Sequence, residues 1–104
     1  MIRLVALYKR PADPAAFDAQ YFGTHIPLAE KIPGVQIRWS KVFGSPAGKS
    51  PWYLMAELCF KDKEAFKAGM SSPESMAAAK NLDTFAKDLV EMLFVDDAPV
   101  AAAR

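Results

Sequence analysis

Short apolar runs, separated by stretches that contain proline or glycine, divide the chain into four predicted strands. The first run is rich in β-branched and other apolar residues and stops at Lys9-Arg10-Pro11. The second alternates apolar and polar residues, which is the period of a half-buried strand. The third is apolar on nearly both sides. The predicted strands are residues 2–8, 35–43, 52–60 and 88–95.

Helical spacing and capping signals predict helices between the strands. Asp13 followed by Pro14 has the residue types of an N-cap and a first helical turn. Phe17, Tyr21 and Leu28 then recur at helical spacing and predict the buried stripe of this helix. The same capping signals predict two more helices, over residues 62–70 and from Ser72-Pro73 to residue 85.

The predicted order is β-α-β-β-α-β, with the second helical region split in two. This order is typical of the ferredoxin-like fold, an α+β arrangement in which helices cover one face of a four-stranded antiparallel sheet. We therefore expect one domain over residues 1–95 and a flexible C-terminal tail over residues 96–104. Strands three and four are apolar on both sides, so the uncovered face predicts a homodimer that packs sheet against sheet.

Composition narrows the class of protein. The chain has 104 residues and a net charge of +1, which gives no electrostatic reason to bind nucleic acid or an anionic membrane. No apolar run is long enough for a transmembrane helix. A single cysteine, Cys59, excludes an internal disulfide and favours a cytoplasmic location. One His and one Cys cannot build a Cys/His zinc site within one chain, so we expect no such metal site.

His25 is the single histidine and the main candidate for chemistry. Its unperturbed pKa lies near neutral pH, so it could act as a general acid or base. Pro27 removes a helical donor and presses on the carbonyl of Gly23, where the absent side chain lets the backbone relax. We therefore expect the helix to kink or end beside His25. The alternative is a structural histidine that satisfies backbone groups freed at the break.

Several segments together resemble the EthD family. They are Tyr8-Lys9-Arg10-Pro11, Phe17, Tyr21-Phe22-Gly23-Thr24-His25-Ile26-Pro27-Leu28-Ala29, Pro33-Gly34, Trp52-Tyr53-Leu54-Met55-Ala56-Glu57-Leu58-Cys59-Phe60, Phe66 and Ser72-Pro73-Glu74. The resemblance implies a dimeric α+β barrel with a cavity between each sheet and its helices, and it implies that His25 matches the family's first-helix histidine. Relatives in the wider superfamily include muconolactone isomerases and cofactor-free monooxygenases.

Aromatic residues and a methionine are the candidates for a pocket. Large amphipathic rings suit a flat apolar ligand, and methionine adapts to its shape. Core packing is the alternative for each of them. The candidate substrate-binding residues are Tyr8, Tyr21, Phe22, Trp39 and Met55.

Three functions fit these observations. The first is an enzyme that handles a small hydrophobic or aromatic catabolic intermediate by isomerisation, lactone conversion or oxygenation, with His25 as acid or base and no metal or organic cofactor. The second is a non-catalytic binding or accessory protein of a degradation pathway, and the third is a structural dimer with a filled core. Residues 44–50 end in Gly-Lys-Ser, but their glycine spacing and the strand that follows argue against a phosphate-binding loop.

Overall fold

The computed structural model describes residues 1–97 and contains a single four-stranded antiparallel sheet in the order β2-β3-β1-β4. The strands pair at the register expected of the ferredoxin-like fold, with β3 and β4 on either side of the central β1. The strands are β1 (Ile2–Lys9), β2 (Gln36–Lys41), β3 (Trp52–Phe60) and β4 (Val90–Asp96). The predicted α+β architecture is confirmed.

The predicted helix starts are also confirmed. The carboxylate of Asp13 accepts a hydrogen bond from the amide of Ala16, and that of Asp62 accepts one from the amide of Ala65. Each bond satisfies an amide that the first helical turn leaves without a partner. The helices are α1 (Pro14–Gln20), a π turn (Tyr21–His25), α2 (Ile26–Ala29), α3 (Lys63–Met70) and α4 (Pro73–Asp83).

The last strand differs from its prediction at both ends. It begins at Val90, because Ala86 and Leu89 form a turn joined by a hydrogen bond between Leu89 N and Ala86 O. It continues to Asp96, which pairs with Ile2. Asp96 therefore belongs to the strand and not to the predicted tail, and the rest of that prediction falls mostly on residues 98–104, which lie outside the described residues.

All the helices pack on one face of the sheet, here called the helix face. Direct pairing across the sheet places Leu4, Leu58 and Phe94 on this face, and it places Ala6, Ala56 and Met92 there two residues further along. The intervening residues point to the opposite, open face, which no element of residues 1–97 covers. The open-face residues of the three strands β1, β3 and β4 are Arg3, Val5, Leu7, Met55, Glu57, Cys59, Glu91, Leu93 and Val95.

A β-bulge interrupts the pairing of β1 and β3. Tyr8 pairs with Leu54 and Lys9 pairs with Trp52, so Tyr53 is an extra residue in β3. The bulge brings the Tyr53 ring into the helix-face core, 5.8 Å from the ring of Phe17.

Polar contacts at the Tyr53 hydroxyl connect three elements. The hydroxyl donates to Oδ1 of Asp18 at 2.9 Å and accepts from Nζ of Lys41 at 2.6 Å. Lys41 also donates to Oδ2 of Asp18 at 2.8 Å. These bonds tie α1 to β2 and β3, which fixes the position of the helix that carries His25.

Candidate functional site

A small cavity lies on the helix face, between the sheet and the helical layer. Its volume is about 90 Å³. Residues of β1, the π turn and α4 contribute most of its wall. The lining residues are Leu4, Ala6, Tyr8, Tyr21, His25, Ile26, Ala29, Ile32, Leu58, Met70, Ser75, Ala78, Ala79, Leu82 and Met92. Tyr8, Tyr21 and His25, which the sequence singled out, therefore meet at one cavity.

The π turn positions two of these residues. The amide of Ile26 donates to the carbonyl of Tyr21, five residues back, instead of to the carbonyl of Phe22. Tyr21 and His25 are the first and last residues of this turn. Their ring centroids are 5.3 Å apart. The π turn thus directs both side chains into the cavity.

The helix does not end at Pro27, but the π turn interrupts its α-helical hydrogen bonding immediately before that residue. The backbone is helical through the π turn and α2, and His25, Ile26 and Glu30 all have right-handed helical angles. The extra residue of the π turn accommodates Pro27 at the start of α2, where its missing amide costs little. The expectation that residue 23 must lack a side chain is wrong. Gly23 is exposed, its φ is not positive, and a Cβ there would meet no atom within 4 Å.

His25 is enclosed and only partly satisfied. The residue is 7% exposed, and its Nδ1 atom is buried with no hydrogen-bond partner in the described chain. Burial lowers the pKa of the imidazole, and it outweighs the opposing influence of the Asn81 side chain and the Ala78 carbonyl. The ring is therefore neutral at neutral pH, so that it can accept a proton.

Tyr8 and Tyr21 place two hydroxyl-bearing rings beside this imidazole. Both residues are 1% exposed, and their ring centroids are 5.1 Å apart in an edge-to-face arrangement. Burial raises the pKa of Tyr21 to about 12 and raises that of Tyr8 further, an effect strengthened by the neighbouring Tyr21 hydroxyl. Both hydroxyls therefore keep their protons at neutral pH and can donate hydrogen bonds.

The polar side chains in the wall of the cavity are uncharged. Within the described chain, the cavity lining contains no Asp, Glu, Lys or Arg. Residues 1–97 also hold no group of three or more His, Cys, Asp or Glu side chains that could bind a metal ion. A neutral imidazole and two protonated tyrosines, whose hydroxyls interact with each other, thus line an otherwise mainly apolar space.

Three of the predicted pocket residues do not line this cavity. Phe22 and Trp39 pack against each other near the outer strand β2, with ring centroids 6.2 Å apart. Trp39 is 41% exposed, because β2 is an edge strand that the helices cover incompletely. Met55 pairs with Leu7 and lies on the open face.

The sequence did not predict that residues of α4 line the cavity. Ser75, Ala78, Ala79 and Leu82 recur at helical spacing on one side of α4 and line the cavity. The alanine-rich composition of this segment was visible, and small residues on the buried side of a helix leave space beneath it. Alanine also favours a helix in general, so composition alone did not indicate a cavity.

Two other sequence interpretations can be compared with the structure. Glu57 is the one acid within the third predicted strand, where an ion pair with Arg3 or Arg38 is expected, and it pairs with Arg3 at 3.0 Å on the open face. Residues 44–50 form a tight turn with paired hydrogen bonds between Ser45 and Gly48, and a strand follows, so they do not open a helix. Across residues 1–97, no helix combines the length and the hydropathy that a bilayer-spanning segment needs.

The chain is similar to known proteins along nearly all of its length. The EthD domain model matches residues 9–88. An uncharacterised 11.0 kDa protein from the thcB–thcC intergenic region of Rhodococcus erythropolis is 39% identical over 101 residues, covering 96% of this chain and 98% of the relative. The crystal structure of an EthD-family protein from Bacillus halodurans C-125 is 38% identical and superposes with a TM-score of 0.89, covering 94% of this chain and 99% of that one.

More distant structures share the fold at lower identity. A dimeric ferredoxin-like protein of unknown function from Jannaschia sp. CCS1 is 16% identical, with a TM-score of 0.66 over 93% of this chain and 100% of that one. SnoaB, a cofactor-independent oxygenase from Streptomyces nogalater, is also 16% identical, with a TM-score of 0.62 over 92% of this chain and 91% of that one. The family match and the two relatives near 40% identity agree with the ferredoxin-like fold and with the motif around His25, and on this evidence the chain belongs to the EthD family.

Proposed function

We propose that this chain is a cofactor-independent proton-transfer enzyme that acts on a small, neutral, largely apolar molecule, with His25 as the base. The observation that carries the proposal is that His25 lines the cavity while its buried Nδ1 has no hydrogen-bond partner of good geometry in the described chain, although the Asn81 side chain and the Ala78 carbonyl lie near the ring. A buried polar atom without a hydrogen-bond partner lowers the stability of the folded state. A ligand that supplies a hydrogen bond there would remove that cost.

The polar groups around the cavity suit removal of a proton next to a carbonyl. Neutral His25 would take the proton, and the negative charge would then develop on the carbonyl oxygen. A hydroxyl of Tyr8 or Tyr21 would donate a hydrogen bond to that oxygen, where it stabilises the enolate more than the ground state. Return of the proton to a different carbon completes an isomerisation, so no oxidant or other co-reactant is needed.

The cavity also limits the ligand. A volume of about 90 Å³ corresponds to about three water molecules at ~30 Å³ each. A single small ring therefore fills it, and a molecule with several fused rings does not fit unless the wall moves. The lining residues include no cation to pair with a carboxylate, so an acidic ligand would lose its hydration without compensation.

α-Angelica lactone tests the proposal, because it is a small neutral lactone whose double bond becomes conjugated after one proton transfer. We expect the protein to convert it to the β isomer, with a rate that falls at low pH as His25 is protonated. His25→Gln should reduce the rate by at least about a hundredfold, within the usual contribution of a general base. Tyr21→Phe should reduce it less. A lactone of similar size that carries a carboxylate is the matched control and should react poorly.

A non-catalytic binding protein is the second candidate, and the same unpartnered nitrogen supports it. In that case the neutral lactone would bind to the wild-type chain, and more weakly to His25→Gln, without any isomerisation. Wild-type protein that neither binds nor converts any of a panel of small neutral lactones, ketones and phenols would contradict both candidates. The cavity itself argues against the third alternative, a dimer with a filled core.

We also propose that two copies of the chain pair through the open face. Mostly apolar side chains lie on that face around the ion pair of Arg3 and Glu57, and the described residues leave them uncovered. Burial of this surface would be favourable at about 25 cal/mol per Å². Several proteins of similar fold are described as dimeric, which supports the same arrangement here.

A further inference from the structure

Two of the residues that line the cavity are also exposed to solvent. Met92 on β4 is 46% exposed, and Ala79 on α4 is exposed as well, whereas the other lining residues are buried or half-buried. A residue that contacts both the cavity and the solvent lies where the cavity meets the surface. The mouth of the cavity is therefore between α4 and β4.

The gap between these elements follows from the sheet order. β4 is an edge strand, and the helices pack mainly above the middle of the sheet. The ring of Phe66 on α3 reaches β4 at Phe94, with centroids 5.3 Å apart. On the other side of the cavity from Met92, α4 instead presents the small residues Ala78 and Ala79, and Met92 is the residue of β4 that lines the cavity.

We propose that Met92 is the movable wall of a portal between α4 and β4, through which ligands reach His25, and that it sets the size of ligand admitted. The proposal rests on the proposed function in that the cavity is taken to be a ligand site. Methionine is unbranched and has three rotatable side-chain bonds, so it can swing aside at low cost. A single small ring fills a cavity of about 90 Å³, so a larger ligand can enter only if such a wall moves.

Carbethoxylation of His25 by diethyl pyrocarbonate measures access to the cavity independently of any activity. His25 is the single histidine, so mass spectrometry of the peptide that contains it gives one rate. Met92→Ala should raise that rate by at least about tenfold, which corresponds to a barrier lower by ~1.4 kcal/mol. Phe94→Ala is the matched control, because Phe94 lies on the same face of the same strand, is 75% exposed, and does not line the cavity.

A second pair of variants tests the opposite wall of the portal. Ala79→Leu should slow carbethoxylation by narrowing the mouth, whereas Ala77→Leu, at an exposed position of α4 outside the cavity lining, should leave it unchanged. Equal rates for Met92→Ala and Phe94→Ala, or for Ala79→Leu and Ala77→Leu, would show that ligands enter elsewhere.

A reagent of larger size tests whether Met92 limits the size of the ligand that enters. The bulkier di-tert-butyl dicarbonate should gain more from Met92→Ala than diethyl pyrocarbonate does, and an equal gain would remove the claim that Met92 selects by size. Because these rates depend on access and not on turnover, they can support the portal even if no lactone is isomerised. If the lactone is isomerised but Met92→Ala does not change the carbethoxylation rate, the proposed function stands and the portal is wrong.

Discussion

At the scale of single residues, His25 sits where burial favours its neutral form, and this preference links the stability of the fold to pH. The unfolded chain takes up a proton on His25 as the pH falls through about 6.5, the ordinary value for histidine. The folded chain takes up that proton only at lower pH. The contribution of His25 to stability is therefore fully present above about pH 6.5 and is lost as the pH falls from there towards the lowered pKa.

The free energy of unfolding, measured with denaturant across this pH range, tests this linkage. Relative to His25→Gln, which cannot titrate, the wild-type chain should lose stability below about pH 6.5, with a slope of at most ~1.4 kcal/mol per pH unit. The carboxylates titrate in both proteins, so their effect largely cancels in the difference. A difference in unfolding free energy that stays constant between neutral and mildly acidic pH would show that the imidazole is not held neutral.

Part of the candidate site is predictable from the sequence at this scale. Tyr8, Tyr21 and His25 could be chosen because their elements and helical spacing place them on the buried side. The same kind of evidence favours Trp39 and Met55, but Trp39 lies on the edge strand β2, away from the cavity, and Met55 lies on the open face. Alternation along a strand tells which residues share a face, but it does not tell which face the helices cover or where the packing leaves space.

At the scale of elements, two glycines on the helical layer have opposite packing environments. A Cβ added at Gly23, in the π turn, would meet nothing within 4 Å. A Cβ at Gly69, in α3, would lie 2.5 Å from the ring of Phe60 and 2.9 Å from the carbonyl of Pro33. The absence of a side chain at Gly69 is what lets α3 approach β3 this closely.

Alanine at each of these positions should therefore change the free energy of unfolding in opposite directions. Gly23→Ala should be neutral or stabilising by about 0.4–1 kcal/mol, because alanine reduces the freedom of the unfolded chain. Gly69→Ala should destabilise by about 1–3 kcal/mol, the usual cost of forcing an extra carbon into a packed interior. Thermal or urea unfolding of the two variants provides the comparison, and a destabilised Gly23→Ala would restore a role for that glycine in shaping the π turn.

The strands and helix starts were predictable for reasons that are local. Asp13, Asp62 and Ser72 supply cap oxygens to amides three residues away, and the bounds of β3 follow from its flanking proline and its Lys61-Asp62 end. The π turn was not predictable in the same way. Its backbone has ordinary helical angles, and the change in hydrogen bonding depends on how tertiary packing draws Tyr21 and His25 inward.

At the scale of the whole molecule, the proposed dimer would bury residues of the open face and leave residues on the outside of the helical layer exposed. Leu93 is 47% exposed in the single chain and lies on the open face, whereas Met76 is 69% exposed and lies on α4, on the side of the helix layer. Leu93→Lys should weaken the dimer at least about tenfold, because a two-fold interface would bury the new charge twice. Met76→Lys should leave it intact.

Light scattering over a range of protein concentrations distinguishes these outcomes. We expect wild type and Met76→Lys to have the mass of two chains, and Leu93→Lys to shift towards the mass of one chain on dilution. An interface of about 1,600 Å² is the usual size for a stable pair. A monomeric wild-type protein would show that the open face has some other partner, and equal behaviour of the two variants would place the interface elsewhere.

The bulge at Tyr53 has a consequence for changes in chain length. A one-residue deletion within a strand normally reverses the direction of every side chain beyond it, so the core side becomes the solvent side. Tyr53 is already the surplus residue between two regular pairs, Tyr8 with Leu54 and Lys9 with Trp52. Its removal would restore even pairing with β1 without turning either neighbour over. The loss would be the contacts of its hydroxyl and ring and the hydrogen bond that its carbonyl accepts from the amide of Val42. Residue 53 is thus the place in β3 where a deletion can be tolerated by the sheet.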